Sequence, residues 1–263
     1  MRKATIDIAA AACKFTLLTT LATAALAQTS PFQEKPDLTG VWTWNMQPGQ
    51  NPMAAMSAAS ANLPFTSEMR PRIEEYREMT RLSLENPGSY CVQFGMPQAM
   101  LFSGGYPMEI IQRPERVTFI FEAYSEVRRV FMEPHPYDPE DEWPSLIGFS
   151  EGRWEGDTLV ITTSRMKEQL YGIIPHSDEA VLVERYRLEH EADGTPILVN
   201  DWTLTDPVFY TEPVSNSRDW KPLGDNRHLA EYACMEDRWV ERVDYLLERF
   251  RRGDPVIANQ EEE

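Results

Sequence analysis

Short runs of apolar, strand-forming residues recur along the chain, separated by polar turns. Residues 116–124 and 127–132, rich in Val, Ile and Phe, flank a short polar turn. Residues 146–154 and 157–163 flank Glu155-Gly156, and residues 180–188 and 196–205 flank Ala192-Asp193-Gly194. Such pairs read as β-hairpins. An earlier strand is predicted across residues 36–44, after the Pro36-Asp37 turn, and residues 208–211 add a last one. The pattern predicts a mainly β chain of about eight strands, joined mostly by short turns into an antiparallel meander.

Two segments switch to helical spacing. Residues 67–85 place Ile73, Tyr76, Met79 or Thr80, and Leu84 on one stripe, with Thr66 or Ser67 as cap and Asn86-Pro87-Gly88 as stop. Residues 229–252 carry Val240, Val243, Leu246, Leu247 and Phe250, and Glu248 with Arg252 makes an i,i+4 pair.

The start of the chain changes the picture. Arg2 and Lys3, an apolar stretch over 15–26, and the small-residue site Ala25-Leu26-Ala27 read as a secretory signal peptide over residues 1–27. The expected organisation is that signal, one barrel domain over 28–255, and an acidic tail over 256–263. Periplasmic or secreted localisation follows. No later segment supplies the ~20 apolar residues of a membrane span, so no membrane insertion is expected after signal cleavage. The formal charge of −17 disfavours nucleic acid and anionic membrane surfaces. Cys13 would leave with the signal. Cys91 and Cys234 then remain, either as a disulfide or as two separate buried thiols.

Leu38-Thr39-Gly40-Val41-Trp42 resembles the Gly-x-Trp entry to the first strand of lipocalin-type barrels. The resemblance implies a lipocalin-like antiparallel β-barrel, here with an inserted N-terminal helix and a C-terminal helix. A second resemblance is broader. Cys91-Val92-Gln93-Phe94-Gly95-Met96-Pro97, the Gly152-Arg153-Trp154-Glu155-Gly156-Asp157-Thr158-Leu159-Val160 stretch and Glu231-Tyr232-Ala233-Cys234 are similar to a largely uncharacterised family of exported bacterial proteins. That resemblance implies export and a shared site, and it supplies no activity.

Candidate chemistry is sparse. Gly148-Phe149-Ser150-Glu151-Gly152 matches G-x-S-x-G, but a strand rather than the required helix is predicted to follow. Strand alternation puts Leu182, Glu184, Tyr186 and Leu188 on one inward face. Glu184 is therefore either an acid–base group raised by desolvation or a buried partner of Arg128 or Arg129. His176 precedes that strand beside carboxylates, and His135 lies in the rigid Pro134-His135-Pro136-Tyr137 loop. The four histidines are scattered, and neither His-x-His nor Cys-x-x-Cys occurs, so no metal is expected. No glycine-rich nucleotide motif occurs either, and no cofactor is expected.

Two function classes follow. In the first, the barrel binds a hydrophobic small molecule such as a terpenoid, steroid or aromatic compound, with Trp42, Phe119, Phe121, Tyr186 and Trp202 lining the cavity. In the second, the same cavity houses a cofactor-independent lyase, isomerase or hydrolase. Glu184 would be its acid or base, His176 its partner, Arg128 or Arg129 its anion holder, and His135 a neighbour at the barrel mouth. Oligomeric state stays open.

Overall fold

The computed structural model describes residues 35–46, 49, 51, 60, 62–83, 87–103, 105–224, 227–234 and 236–254. The expected signal peptide and the acidic tail lie outside the described residues. Nine strands close one barrel in chain order. They are β1 (Gly40–Trp44), β2 (Met108–Arg113), β3 (Arg116–Phe121), β4 (Glu126–Met132), β5 (Phe149–Glu155), β6 (Thr158–Ser164), β7 (Val181–His190), β8 (Pro196–Thr205) and β9 (Val214–Pro222). β1 pairs with both β2 and β9, which closes the ring.

The expectation of about eight strands, all antiparallel, is corrected on both counts. There are nine, and β4 runs parallel to β5, with Val130 opposite Ser150. The two corrections are one fact. Each antiparallel contact reverses strand direction, and a closed ring needs an even number of reversals. Nine contacts therefore include at least one parallel pair, and residues 133–148 make the long crossover such a pair requires.

β2 and β9 escape the pattern because only part of each is apolar. Met108 and Ile110 are buried in β2, and Trp220 is the one large apolar residue buried in β9. Residues 208–211 form a turn whose only sheet contact is the Phe65–Tyr210 bridge.

Among the described residues the barrel is accompanied by the α-helices α1 (Met69–Ser83), α2 (Gln98–Phe102) and α3 (Glu236–Arg252). Thr66 caps α1 by accepting the Met69 N–H on its hydroxyl at 3.3 Å. The helix buries Met69 and Ile73 against the barrel end and leaves Met79 exposed.

The two barrel ends differ. Tight turns at 114–115, 156–157 and 191–195 close one end. At the other, Phe121 pairs with Glu126, Phe149 with Ser164, and Val181 with Thr205. The described parts of the connections 45–107, 165–180 and 206–213 leave from that second end and form a lid over it. Large side chains occupy the interior between the ends, among them Phe119, Phe121, Tyr186 and Trp220, each essentially inaccessible.

A disulfide joins Cys91 to Cys234 with an S–S distance of 2.08 Å. It ties the 3₁₀ turn Pro87–Tyr90 to the segment that leads into α3. Such a bond fits an oxidising compartment outside the cytoplasm.

Candidate functional site

Backbone-directed hydrogen bonds assemble the lid. Gln98, fully buried on α2, donates its amide N–H to Ile174 O and accepts the Ile173 N–H. Gln169 donates to Phe94 O at 3.0 Å and exchanges backbone bonds with His176. Asp206 accepts from the Ser177 N–H and hydroxyl and from the Val208 and Phe209 N–H groups. Glycine is required at two contacts. A Cβ on Gly95 would meet Leu146 O at 2.3 Å, and one on Gly172 would meet the Gln98 amide carbon at 2.4 Å; both residues have positive φ.

Inside this lid lies a cavity of about 380 Å³, lined by α1, the 3₁₀ turn, α2, the β3–β4 connection and the segment around Tyr171. A second compartment of about 290 Å³ shares Tyr76, Thr80, Pro87, Val92 and Tyr171 with it. Tyr76 and Thr80, one helical turn apart, face it from the same side of α1. Phe94 stacks on Phe102 with centroids 4.4 Å apart and meets the edge of Tyr124 at 4.8 Å. Tyr124 is held at φ 59°, a left-handed conformation that is costly for an aromatic residue. Among the described lining residues, Arg77 alone carries a charge.

The electrostatics of the lid favour neutral hydroxyls. Burial pushes the Tyr171 phenol up to about 12, with smaller contributions from Glu126, Tyr76 and Tyr124. Glu126 lies behind the cavity wall. Its Oε1 accepts the Gly95 N–H at 2.8 Å, and its buried Oε2 has no partner among the described residues. Burial raises this carboxyl to about 7, against the lowering effect of the Gly95 and Phe94 backbone.

Glu184 and Arg128 meet in the barrel interior rather than in the lid. Both are essentially inaccessible. Arg128 reaches both Glu184 oxygens, Oε1 at 3.1 Å and Oε2 in a short ion pair. Two further donors go to the Ser150 hydroxyl at 2.9 Å and the Thr163 hydroxyl at 2.6 Å, and its guanidinium lies 5.5 Å from the Phe119 ring centroid. The Tyr186 hydroxyl donates to Glu184 Oε1 at 2.8 Å. Burial and the Glu184 charge hold the Tyr186 phenol well above its ordinary value, so it stays a donor. Ser150, the central residue of the G-x-S-x-G motif, is thus a hydrogen-bond acceptor for Arg128 on a strand that turns into β6.

The two candidate histidines lie apart from this pair. His176 is fully buried in the lid, with Nε2 3.0 Å from Met96 O and Nδ1 2.8 Å from Ser177 O. Desolvation holds it below the ordinary histidine value, opposed by those two carbonyls and by Asp206. His135 lies near the start of the β4–β5 crossover, among Phe131, Tyr137 and Phe149, with Nε2 3.2 Å from Glu151 Oε1. Trp42, Phe119, Phe121, Tyr186 and Trp202 are buried core residues of the barrel, and none lines the lid cavity. Among the described residues no group of three His, Cys, Asp or Glu is placed to hold a metal ion.

The residues that do line the cavity were mostly silent in the sequence. Tyr76 was legible as part of the helical stripe, and Phe94 lies in the Cys91–Pro97 stretch. Phe102, Tyr124 and Tyr171 come from separate connections, and no spacing rule brings them together. No family model, no curated protein and no solved structure matches the chain.

Proposed function

We propose that this protein is an exported, lipocalin-like barrel that binds a hydrophobic small molecule, of terpenoid, steroid or aromatic type, in the cavity of its lid. The observation that carries the reading is that cavity, about 380 Å³ and walled by Phe94, Phe102, Tyr76, Tyr124 and Tyr171. Its size falls within the ~300–1,000 Å³ of small-molecule sites, which combine an apolar wall with a few placed polar groups. Neutral tyrosine hydroxyls supply donors, and Arg77 supplies a cation for an anionic or electron-rich group on the ligand. The signal-like start and the disulfide support export. The acid–base alternative is the weaker reading, because Glu184 is neutralised by Arg128 on both oxygens and lies in the packed interior.

Native mass spectrometry of the protein purified from its source tests for a retained ligand. Fluorescence titration with N-phenyl-1-naphthylamine tests the site itself. Thr80→Trp fills the cavity from α1 without removing a contact to the barrel, since the Thr80 hydroxyl bonds only its own helix backbone. Binding by the wild-type chain and its loss in a folded Thr80→Trp chain is the expected result. Probe binding that Thr80→Trp leaves intact, or no binding at all, overturns the assignment.

A further inference from the structure

The C-terminal helix α3 carries an apolar seam that is largely exposed among the described residues. Among the described residues it packs broadly against no strand and no other helix. Val240 is 52% exposed, Leu247 41% and Phe250 69%, and Val243 is only half-buried. Val240, Val243, Leu247 and Phe250 are spaced three, four and three residues apart. These are the a and d positions of two consecutive heptads, the spacing that keeps one stripe facing a partner helix.

The charges along the helix say which partner. Residues 236–244 hold four acidic and two basic side chains, and residues 245–252 hold one acidic and three basic. The first half is therefore net negative and the second net positive. A parallel copy would set like charge against like. An antiparallel copy sets each half against its complement.

We propose that α3 pairs antiparallel with α3 of a second copy of this chain, making a two-fold symmetric dimer. About a dyad at Tyr245, Val240 of one copy meets Phe250 of the other, and Val243 meets Leu247. Every a position then faces a d position, and the same four residues complete the seam from both sides. This self-matching is what a two-fold interface demands. Position 237, an aspartate, lies across from position 251, an arginine, on each flank. Asp244 lies near the dyad across from its own copy, the one like-charge meeting in the arrangement. The helix has 17 residues, a span of ~25 Å, so the seam is short and the dimer reversible. The Cys91–Cys234 disulfide anchors the chain just before α3.

Sedimentation velocity on the oxidised full chain, over a series of about 1–200 μM, reads the monomer–dimer equilibrium. A concentration-dependent dimer that weakens with added salt is expected. Leu247→Glu, at an exposed position, should weaken it by about 100-fold with an unchanged far-ultraviolet spectrum. Arg251→Glu should weaken it, and adding Asp237→Arg should restore it, because the two positions face each other only in the antiparallel register. Asp244→Asn should tighten it by about threefold. A chain that stays monomeric across the series overturns the proposal. So does a dimer indifferent to Leu247→Glu, or one that the 237/251 exchange fails to restore.

Discussion

Replacing Glu184 by Gln keeps the shape of the side chain and removes one charge. The wild-type pair is fully buried, and Arg128 spends its donors on Glu184, Ser150 and Thr163. Glu184→Gln leaves those hydroxyls in place but strands a guanidinium in the interior without its counter-charge. Breaking a buried pair in this way costs about 3–5 kcal/mol. That is a large share of the 5–15 kcal/mol by which ordinary domains are stable. Arg128→Met should cost a similar amount, because the Glu184 carboxylate then keeps only Tyr186 and a 3.5 Å contact to Asn200 as donors. The double variant should lose far less than the sum, since it buries no unpaired charge. Urea unfolding of the four proteins at pH 7 measures the coupling, expected at about 2 kcal/mol or more. Additivity within about 0.5 kcal/mol would refute the reasoning. A second readout separates structure from function. Folded Glu184→Gln should bind N-phenyl-1-naphthylamine as the wild type does. Lost binding at unchanged stability would move Glu184 out of the scaffold and into the site.

Three further outcomes are expected. Glu126 has a folded value of about 7 against an ordinary 4.5, so the folded state binds more protons between those values. Its contribution is present below pH 4.5 and is lost as pH rises through 7, at most about 3 kcal/mol in all. Glu126→Gln should therefore gain stability over wild type at pH 8 and not at pH 4.5, and an equal difference in urea melts at both pH values would count against the assignment. Arg77→Gln should weaken an anionic naphthalene sulfonate probe by about tenfold while leaving the neutral N-phenyl-1-naphthylamine unchanged; equal losses for both would show that Arg77 shapes the wall instead of holding charge. The Cys91–Cys234 bond spans 143 residues, so the paired serine variants should lose on the order of 5 kcal/mol in the chain-entropy limit. Chemical denaturation checks this, and full stability after removal would mean that the unfolded chain is already held compact.

Legibility in the sequence follows locality. Hairpins β5–β6 and β7–β8 are readable because each turn carries its glycine and lies between runs rich in strand-forming residues. The inward placement of Leu182, Glu184 and Tyr186 came from strand alternation alone. β9 was not readable: Ser215, Asn216 and Ser217 are exposed, and its pairing with β1 joins the two extremes of the barrel. The parallel β4–β5 contact was hidden for a related reason, since a crossover over residues 133–148 looks like any polar loop. The Arg128–Glu184 pair was anticipated as one of two alternatives, because a buried carboxylate needs a cation. The cavity was not anticipated, because its wall is assembled from residues whose separations along the chain carry no period.

The two ends of the barrel explain why the cavity sits in the lid. A nine-stranded ring has a lumen to fill, and here Phe119, Tyr186, Trp220 and the Arg128 network fill it. Interior positions that must pack at protein density leave no room for adaptable contacts. The connections at the lid end are under no such constraint. They are long enough to enclose space, and side chain-to-backbone bonds from Gln98, Gln169 and Asp206 help to hold them beside buried apolar residues such as Phe65, Ile73 and Met100. Bonds of that kind fix the path of a loop without filling the volume behind it. At the lid end Tyr124 keeps an unfavourable conformation, and Glu126 at the start of β4 keeps its Oε2 without a partner among the described residues. Strain and unsatisfied polarity persist only where the surrounding structure over-determines them. That both fall beside the same aromatic cavity is the strongest reason to look for a ligand there.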